Sequence, residues 1–320
     1  MKTSRRKFLQ KGALAVAGTT VLSQSLISCS GKKPADQESS LPQPLPKQSN
    51  IVGVQLYCVR EEMKADPLGS LTQLAEMGYV YVEHANYGDR KFYGWTVPEF
   101  KKVLADLGLK MISGHTILGS GHWDAAKNDF TDEWKYTVED AAAMGQKYVV
   151  SPWLDASLYQ TRDDALAFME VFNKCGELCQ QSGMKYGYHN HDFEFSHMMG
   201  NETLFDVIMK NTDGDKVVLQ LDIGNMYIAG AKAIDVLKKY PGRYENIHVK
   251  DMIKREDDEE GHGYESCIIG EGLIGTKEIT DLARDTGTTV FIIEQESYQG
   301  KTPMECMSAD LEIMKKWGYA

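Results

Sequence analysis

The sequence lacks the features of several common protein classes. Its six cysteines show no repeated spacing, and five of them follow Cys29, so the pattern is not that of a disulfide scaffold. The apolar run at 12–22 is too short for a membrane-spanning helix, which requires roughly 20 residues. Hydrophobic residues make up 42% of the chain, which is ordinary for a globular protein with one large core or two modest ones.

Positive charge is also scarce. Lys and Arg number 35 against 46 Asp and Glu, which gives a formal net charge of −11. The segment 1–28 carries five positive charges and no acid, so the rest of the chain has a net charge of −16. Such an acidic body disfavours nucleic acid or an anionic lipid surface as a partner. It also disfavours a strongly anionic substrate, and no basic cluster suited to a phosphate is evident.

The amino-terminal segment has the pattern of a targeting signal. Arg5 and Arg6 form a twin-arginine motif ahead of the apolar run at 12–22. The residues LISC at 26–29 resemble a bacterial lipoprotein cleavage box, with Cys29 as the lipidated first mature residue. An ordinary cleaved signal followed by an incidental cysteine is the alternative.

The signal and the segment after it divide the chain into three parts. We expect a signal peptide at 1–28 and a flexible tether at 29–50, because the latter is rich in Ser, Pro, Gln and Lys. The body follows at 51–320. The protein is therefore predicted to be exported, as a periplasmic or outer-membrane lipoprotein whose one membrane contact is a lipid on Cys29.

From residue 51 onward, short apolar segments alternate with helical patterns. Eight strand–helix units recur at a spacing of roughly thirty residues, and unbroken apolar runs are typical of parallel strands covered by helices. Eight units close naturally into a single (β/α)₈ TIM barrel, which we predict for 51–320. A doubly wound open sheet is the rival fold. It usually has a Gly-rich phosphate turn after its first strand, but here that position reads LYCVR at 56–60.

A pair of histidines marks the predicted fifth strand. His189 and His191 follow the segment GMKYG at 183–187, and they point to the same side because successive side chains of a strand alternate. Two imidazoles at the end of a strand are poor core material but good metal or substrate ligands. A hydrogen-bonded pair inside the core is the alternative for this motif taken alone.

The other predicted strands end in polar or aromatic side chains as well. In a (β/α)₈ barrel the C-terminal ends of the strands face one shared mouth, so these side chains are expected to meet. A hydrophobic core would not supply such a series. In chain order, the residues at these ends are Gln55, Tyr57, Glu83, His84, His115, Trp153, His189, His191, Asp222, His248, Lys250, Asp251, Glu294 and Glu296.

Four of these residues are predicted to bind one divalent metal ion. They are His189, Asp222, His248 and Glu294, one from each of strands five to eight. Mixed His and carboxylate ligands suit Mn, Zn, Fe or Co, and suit Mg or Ca less well. A helix cap is the alternative for Asp222, and a core histidine is the alternative for His248. Neither alternative explains why such residues recur at four successive strand ends.

Four motifs carry a resemblance to a known family. They are LQLDIGN at 219–225, IHVKD at 247–251, IGEGLI at 269–274 and FIIEQE at 291–296. With these motifs the body resembles the xylose isomerase-like TIM barrels, a sugar isomerase/epimerase group that includes tagatose epimerases and inosose-type dehydratases. The resemblance implies that Asp222, His248 and Glu294 hold a divalent metal ion.

Strand five departs from the pattern of the family. The family often has Glu-Asn-His there, whereas this chain has His189-Asn190-His191. In similar epimerases, metal-bound glutamates on strands five and eight relay a proton from opposite faces of an enediolate. His189 preserves a ligand but removes a carboxylate base, because the lone pair of a metal-bound imidazole is occupied. We therefore expect one-faced chemistry, either isomerisation or proton abstraction followed by β-elimination.

The predicted function is proton abstraction next to a metal-polarised carbonyl of a free or keto sugar, in an isomerase/epimerase-like enzyme. Glu294 is the first candidate base, and Glu83, Glu296 and His191 are alternatives without a metal bond. Lys250 is expected to donate a proton to an oxyanion or a leaving hydroxyl. Substrate contacts are expected from Gln55, Tyr57, His84, His115, Trp153 and Glu296.

Three other functions stay open. The first is a dehydratase or lyase that performs β-elimination on a keto sugar or a 3-keto-glycoside. The second is an endonuclease IV-like nuclease, which uses a similar barrel and several metal ions, but the acidic body and the single ligand cluster count against it. The third is a sugar-binding lipoprotein without catalysis. Such a protein would tolerate loss of Glu294 or His248, and both are present. An oligomer is compatible with the sequence.

Overall fold

The structure, a computed structural model, describes residues 50–255 and 263–320. The predicted signal peptide at 1–28, Cys29 and the tether up to residue 49 lie outside the described residues. In the part that is described, none of the helices has both the length and the apolar character that crossing a membrane requires. The cysteines of this part are free and buried.

Eight parallel strands close into a barrel. Each strand pairs with its neighbours in chain order, and the first closes on the last with Ile51 opposite Val290. The predicted (β/α)₈ barrel is therefore confirmed. The barrel strands are β1 Ile51–Gln55, β2 Tyr81–His84, β3 Lys110–His115, β4 Tyr148–Ser151, β5 Lys185–His189, β6 Val217–Asp222, β7 Asn246–Val249 and β8 Val290–Ile293.

Helices alternate with these strands, and their ends follow local chemistry. The Thr161 hydroxyl accepts the N–H of Asp164 at one helix start, and left-handed Gly78 and Gly145 end two others, a conformation that glycine adopts without strain. The helices of the described residues are α1 Arg60–Ala65, α2 Pro67–Met77, α3 Val97–Asp106, α4 Asp132–Met144, α5 Arg162–Gln180, α6 Phe193–Ser196, α7 Leu204–Asn211, α8 Ile223–Ile228, α9 Ala233–Lys239, α10 Thr276–Asp285 and α11 Pro303–Lys316.

Short antiparallel strands lie in the loops after β2, β3, β5 and β7, and 3-10 turns lie in the loops after β1, β3 and β4. All these loops leave the C-terminal ends of barrel strands. The short strands are Tyr87–Gly88, Lys91–Phe92, Trp95–Thr96, Trp123–Asp124, Asp129–Phe130, Met198–Met199, Glu202–Thr203, Asp251–Lys254 and Tyr264–Cys267. The 3-10 turns are Leu56–Val59, Ser120–His122 and Ala156–Leu158.

The barrel strands separate the apolar core into two clusters, one outside the barrel and one inside it. A large cluster joins the strands to the helices, and a small separate cluster of residues such as Val150 and Val218 fills the interior of the barrel. On β6, Val218 shares its face with Gln220 and Asp222, because alternate residues of a strand point the same way. The interior is therefore apolar at one end and becomes polar toward the C-terminal end, where the site lies.

Five strands end earlier than the sequence predicts, and the change matters most for β1, β4 and β5, since β7 and β8 stop only just short of Lys250 and Glu294. β1 ends at Gln55 because the side chain of Gln55 accepts the N–H of Tyr57 and starts the 3-10 turn Leu56–Val59. β4 ends at Ser151 and β5 at His189. Tyr57, Trp153 and His191 consequently lie in loops above the barrel rather than on its strands.

Candidate metal centre and active site

The four predicted metal ligands converge at the C-terminal end of the barrel. One side-chain nitrogen or oxygen from each of them lies within 4.8 Å of the corresponding atoms of the other three. All four side chains are buried, and they belong to or directly follow adjacent strands, β5 to β8. The structure thus brings together His189, Asp222, His248 and Glu294.

The two carboxylate oxygens of Asp222 have different surroundings. Oδ1 accepts the backbone N–H of Gly224 at 2.8 Å and of Asn225 at 2.7 Å, so it caps α8. Among the described residues, Oδ2 has no hydrogen-bond partner although it is buried. It lies 3.5 Å from Lys250 Nζ, 3.9 Å from His189 Nε2 and 3.8 Å from His248 Nδ1. The cap and a metal bond are therefore compatible, because each uses a different oxygen.

Two buried carboxylates in this cluster lie beside positively charged groups. Burial raises the pKa of Asp222 to about 7; Lys250 lowers it and the Glu294 carboxylate raises it. Burial also opposes ionisation of Glu294, but Lys250 and His248 hold its pKa well below the usual range. Two neighbouring buried carboxylates repel each other unless positive charge compensates them. With two imidazoles beside them, the donor set suits a divalent ion such as Mn, Zn, Fe or Co.

In each of the two histidines, one ring nitrogen contacts a polar side chain outside the cluster. His189 Nδ1 lies 3.1 Å from Gln220 Oε1, and His248 Nε2 lies 2.6 Å from Glu83 Oε1. The opposite ring nitrogens face the Asp222 carboxylate. Burial alone would lower the pKa of His248, but Glu294 and Glu83 outweigh it and raise the pKa to about 10.

Lys250 is a buried ammonium group beside the ligands. Its Nζ donates to Glu296 Oε1 at 2.5 Å and to Glu294 Oε2 at 3.3 Å. Burial lowers the pKa of Lys250, but Asp222, Glu294 and Glu296 outweigh it and hold the pKa well above the usual value. The chain of Lys250 packs on Gly224, where a Cβ atom would lie 2.7 Å from Lys250 Cγ. Lys250 is therefore a charged hydrogen-bond donor at a defined place beside the ligands.

A cavity of about 930 Å³ opens onto the cluster, a volume typical of small-molecule sites. Tyr57 and Trp153 are 43% and 44% exposed, although large aromatic side chains are usually well buried. Aromatic faces of this kind suit stacking on the apolar face of a sugar ring. The predicted site residues that line the cavity are Tyr57, His115, Trp153, His189, His191, Glu294 and Glu296.

Apart from the metal ligands, four predicted site residues do not line this cavity: Lys250, which lies beside the ligands, and three others whose placement is corrected. Gln55 and Glu83 are fully buried outside the cavity lining, and Gln55 Nε2 donates to Glu83 Oε1 at 2.8 Å. The His84 ring packs on Gly114, where a Cβ atom would lie 1.8 Å from the ring, and burial lowers the pKa of His84 to about 3. His84 is therefore a neutral core histidine and not a substrate contact. Glu83 does not line the cavity, so it is not placed to contact a substrate directly as a base would.

Two polar residues that sequence reasoning missed hold the site together. Asn190 joins two strand ends: its Nδ2 donates to the Asp222 carbonyl at 3.1 Å, and its Oδ1 accepts the Asp222 N–H at 3.0 Å. Gln220 contacts Glu83 and His189 in the interior of the barrel. The alternation on strand six was a signal for Gln220, because it places this residue on the same face as Asp222.

Comparisons with known proteins give relatives named as inosose dehydratases and sugar phosphate isomerases/epimerases. Over 130 residues the chain is 30% identical to the inosose dehydratase of Clostridium perfringens (strain 13 / Type A). This match covers 37% of this chain and 43% of that enzyme. The chain thus spans less than half the length of that relative. A sugar phosphate isomerase/epimerase from Parabacteroides distasonis ATCC 8503 superposes with a TM-score of 0.71 and 25% identity, over 88% of this chain and 98% of that chain.

A further structural relative is the IOLI protein, whose crystal structure contains a zinc atom. It superposes with a TM-score of 0.63 over 83% of this chain and 97% of its own. Its identity with this chain is 15%, so the likeness shows the fold alone.

The match to a family profile extends over most of the barrel. The profile described as "Xylose isomerase-like TIM barrel" matches residues 71–317, well over half of the chain. This match includes β2 to β8 and all four residues of the candidate metal centre. The chain therefore belongs to the xylose isomerase-like TIM barrel family.

Proposed function

We propose that the protein is a divalent-metal-dependent enzyme that abstracts a proton next to the carbonyl group of a free or keto sugar. The observation that carries this proposal is the convergence of two imidazoles and two carboxylates within 4.8 Å, at a cavity of about 930 Å³. His189, Asp222, His248 and Glu294 would hold the ion. When bound, a divalent ion supplies Lewis acidity, which makes a carbon acid next to a carbonyl group easier to deprotonate.

The residues of the chain supply the base and the acid. Glu294 is ionised and borders the cavity, so its carboxylate can accept a proton from a carbon atom of the substrate. Lys250 stays protonated and can donate to an oxygen atom that gains negative charge or leaves. Tyr57 and Trp153 offer aromatic faces that orient a sugar ring. His189 replaces the second carboxylate base of an epimerase, which supports chemistry on one face of the substrate.

Elimination of water or of another substituent is the second candidate. It needs a base for the proton and an acid for the leaving group, and Glu294 Oε2 and Lys250 Nζ lie 3.3 Å apart. This short separation supports removal of both groups from the same face. The similarity to an inosose dehydratase points in the same direction.

Exchange in heavy water tests the proposal and separates the two outcomes. Metal-loaded protein is incubated in heavy water with a panel of aldoses, ketoses and 3-keto-glycosides, and the products are examined by mass spectrometry. Deuterium in a sugar of unchanged composition would identify an isomerase or epimerase, and loss of a substituent would identify a lyase. Treatment with a chelator should abolish either reaction.

Two matched substitutions complete this test. Glu294→Gln should cut turnover far more than Glu271→Gln, because Glu294 lines the cavity and Glu271 does not belong to its lining. Equal effects of the two substitutions, or no deuterium uptake and no product with any member of the panel, would overturn the proposal.

We also propose that the protein is exported and attached to a membrane through a lipid on Cys29. The twin arginines Arg5 and Arg6 and the LISC box at 26–29 support this proposal. Fractionation of the producing cells should place the wild type with membranes, and Cys29→Ala should release it. Cys306→Ala is the control, because Cys306 is buried in the barrel domain. A wild-type protein that fractionates with the cytosol would contradict export.

A further inference from the structure

Glu83 is a buried carboxylate that is saturated with hydrogen bonds. Oε1 accepts from Gln55 Nε2 at 2.8 Å and lies 2.6 Å from His248 Nε2 and 3.1 Å from His115 Nε2. Oε2 accepts from Gln220 Nε2 at 2.7 Å and from the Ser113 hydroxyl. A carboxylate has about four lone-pair sites, so these five neighbours occupy all of them. Glu83 therefore has no free acceptor position for a proton that comes from a substrate.

An irregularity in the barrel places Glu83 in this position. Val82 on β2 pairs with Met111 on β3, whereas the next residue, Glu83, pairs with Ser113 and skips Ile112. Such bulges re-aim side chains and are common next to active sites. Here the bulge sets the Ser113 hydroxyl directly beside the Glu83 carboxylate. The same arrangement keeps Glu83 inside the barrel and away from the cavity.

The contact with Glu83 decides which nitrogen of His248 faces the ligand cluster. An ionised carboxylate only accepts hydrogen bonds, so His248 Nε2 must carry the hydrogen atom. The other nitrogen, Nδ1, then faces the ligand cluster, 2.9 Å from Glu294 Oε2 and 3.8 Å from Asp222 Oδ2. A histidine ligand usually needs such a partner on its second nitrogen, which orients the ring and sets its tautomer.

Gln220 links Glu83 to His189 and fixes which ring nitrogen of His189 carries the hydrogen atom. Because its amide group must donate to Glu83, its carbonyl oxygen must point the other way. That oxygen lies 3.1 Å from His189 Nδ1, so His189 donates from Nδ1 and leaves Nε2 directed at Asp222. One carboxylate thus orients both histidines of the ligand cluster, one directly and one through Gln220.

We propose that Glu83 is a positioning residue that sets the tautomers of His248 and, through Gln220, of His189, and that it is not the catalytic base. This inference rests on the proposed function, because it assigns Glu83 a role toward the same metal centre. It explains why a carboxylate at the end of a barrel strand lies outside the cavity that its neighbours line.

The test measures metal binding in the full protein and does not depend on a known substrate. Chelator-treated wild type, Glu83→Gln and Asp310→Asn are titrated with Co²⁺ by calorimetry, and the visible absorption spectrum of bound Co²⁺ is recorded. Asp310→Asn is the control, since Asp310 is also a fully buried carboxylate but accepts a backbone N–H from Ile269 instead. Glu83→Gln should weaken the Kd by about 10- to 100-fold and change the Co²⁺ spectrum. Asp310→Asn should change neither.

The outcomes separate this inference from the proposed function. A wild type that binds no Co²⁺ would overturn both. If the wild type binds Co²⁺ and Glu83→Gln binds it with the same Kd and the same spectrum, this inference alone is overturned. If circular dichroism shows that Glu83→Gln does not fold, Gln220→Met decides: a weakened Kd supports the inference, and a wild-type Kd overturns it.

Discussion

Substitution of Asp222 separates two roles that one side chain combines. Its Oδ1 caps α8 through hydrogen bonds of 2.8 and 2.7 Å, whereas Oδ2 finds no hydrogen-bond partner within residues 50–255 and 263–320. Asparagine keeps an oxygen for the cap but replaces Oδ2 with an amide nitrogen, which does not bind a cation. Alanine removes both oxygens. The variants Asp222→Asn and Asp222→Ala therefore distinguish a helix cap from a metal ligand.

The expected sizes of the effects follow from this division. For the wild type, a divalent ion at 100 times its Kd should add about 2.7 kcal/mol to the free energy of unfolding. For a domain of this size, 1 kcal/mol corresponds to about 2 °C, so Tm should rise by about 5 °C. Asp222→Asn should lose this rise while its ion-free Tm stays close to that of the wild type. Asp222→Ala should also lose about 1 kcal/mol in the ion-free state, because the cap is gone.

Thermal unfolding followed by circular dichroism measures these effects, with a chelator and then with Mn²⁺, Co²⁺, Zn²⁺ or Fe²⁺. Asp310→Asn serves as the control for loss of a buried carboxylate away from the ligands. A rise in Tm of Asp222→Asn equal to that of the wild type would show that Oδ2 does not bind the ion. A wild type whose Tm responds to none of the four ions would refute the metal centre itself.

Three further predictions concern the packing and ionisation around the site. Gly224→Ala should slow deuterium uptake into the substrate without weakening Co²⁺ binding, because the new Cβ atom would lie 2.7 Å from Lys250 Cγ and displace the proton donor. Gly114→Ala should lower the free energy of unfolding in urea by about 3 kcal/mol or more, since its Cβ atom would overlap the His84 ring at 1.8 Å. Burial raises the pKa of Glu194 to about 8, so folding favours its protonated form, and the stability that this group contributes should be lost as pH rises from about 5 to 8. Glu194→Gln, which does not titrate, should flatten this part of the curve of unfolding free energy against pH.

Each of these predictions has a control and a contradicting result. Gly121→Ala is the control for the glycine substitutions, because a Cβ atom there meets no described atom within 4 Å. Unchanged deuterium uptake in Gly224→Ala would rule out a proton-donor role for the neighbouring lysine. Wild-type stability of Gly114→Ala would contradict the packing of the His84 ring. A curve for Glu194→Gln that runs parallel to the wild type would contradict a protonated carboxyl group at that position.

The architecture was predictable because it depends on local patterns. Apolar runs of strand length that alternate with helical patterns already imply parallel strands with helical cover, and eight such units close a barrel. The candidate metal centre was predictable for the same reason. Strands β5 to β8 each end near a histidine or a carboxylate, and parallel strands present their C-terminal ends at one rim.

The directions of individual side chains were not predictable in this way. Gln55, Glu83 and His84 stand at strand ends like the ligands, yet a 3-10 turn, a bulge and a packed glycine turn them away from the cavity. A position at the end of a strand indicates only which rim a residue belongs to. Whether its side chain enters the mouth depends on the register of the neighbouring strand.

The sequence by itself determined the barrel, the rim that carries the site and the types of ligand atom, since each follows from patterns within short segments. The tertiary structure alone decided how those atoms are oriented. Gln220 is an ordinary polar residue in the chain, and it gains its role only when the closed barrel brings it to Glu83, 137 residues away. Hydrogen bonds between distant strands depend on closure and register, and no local pattern encodes them.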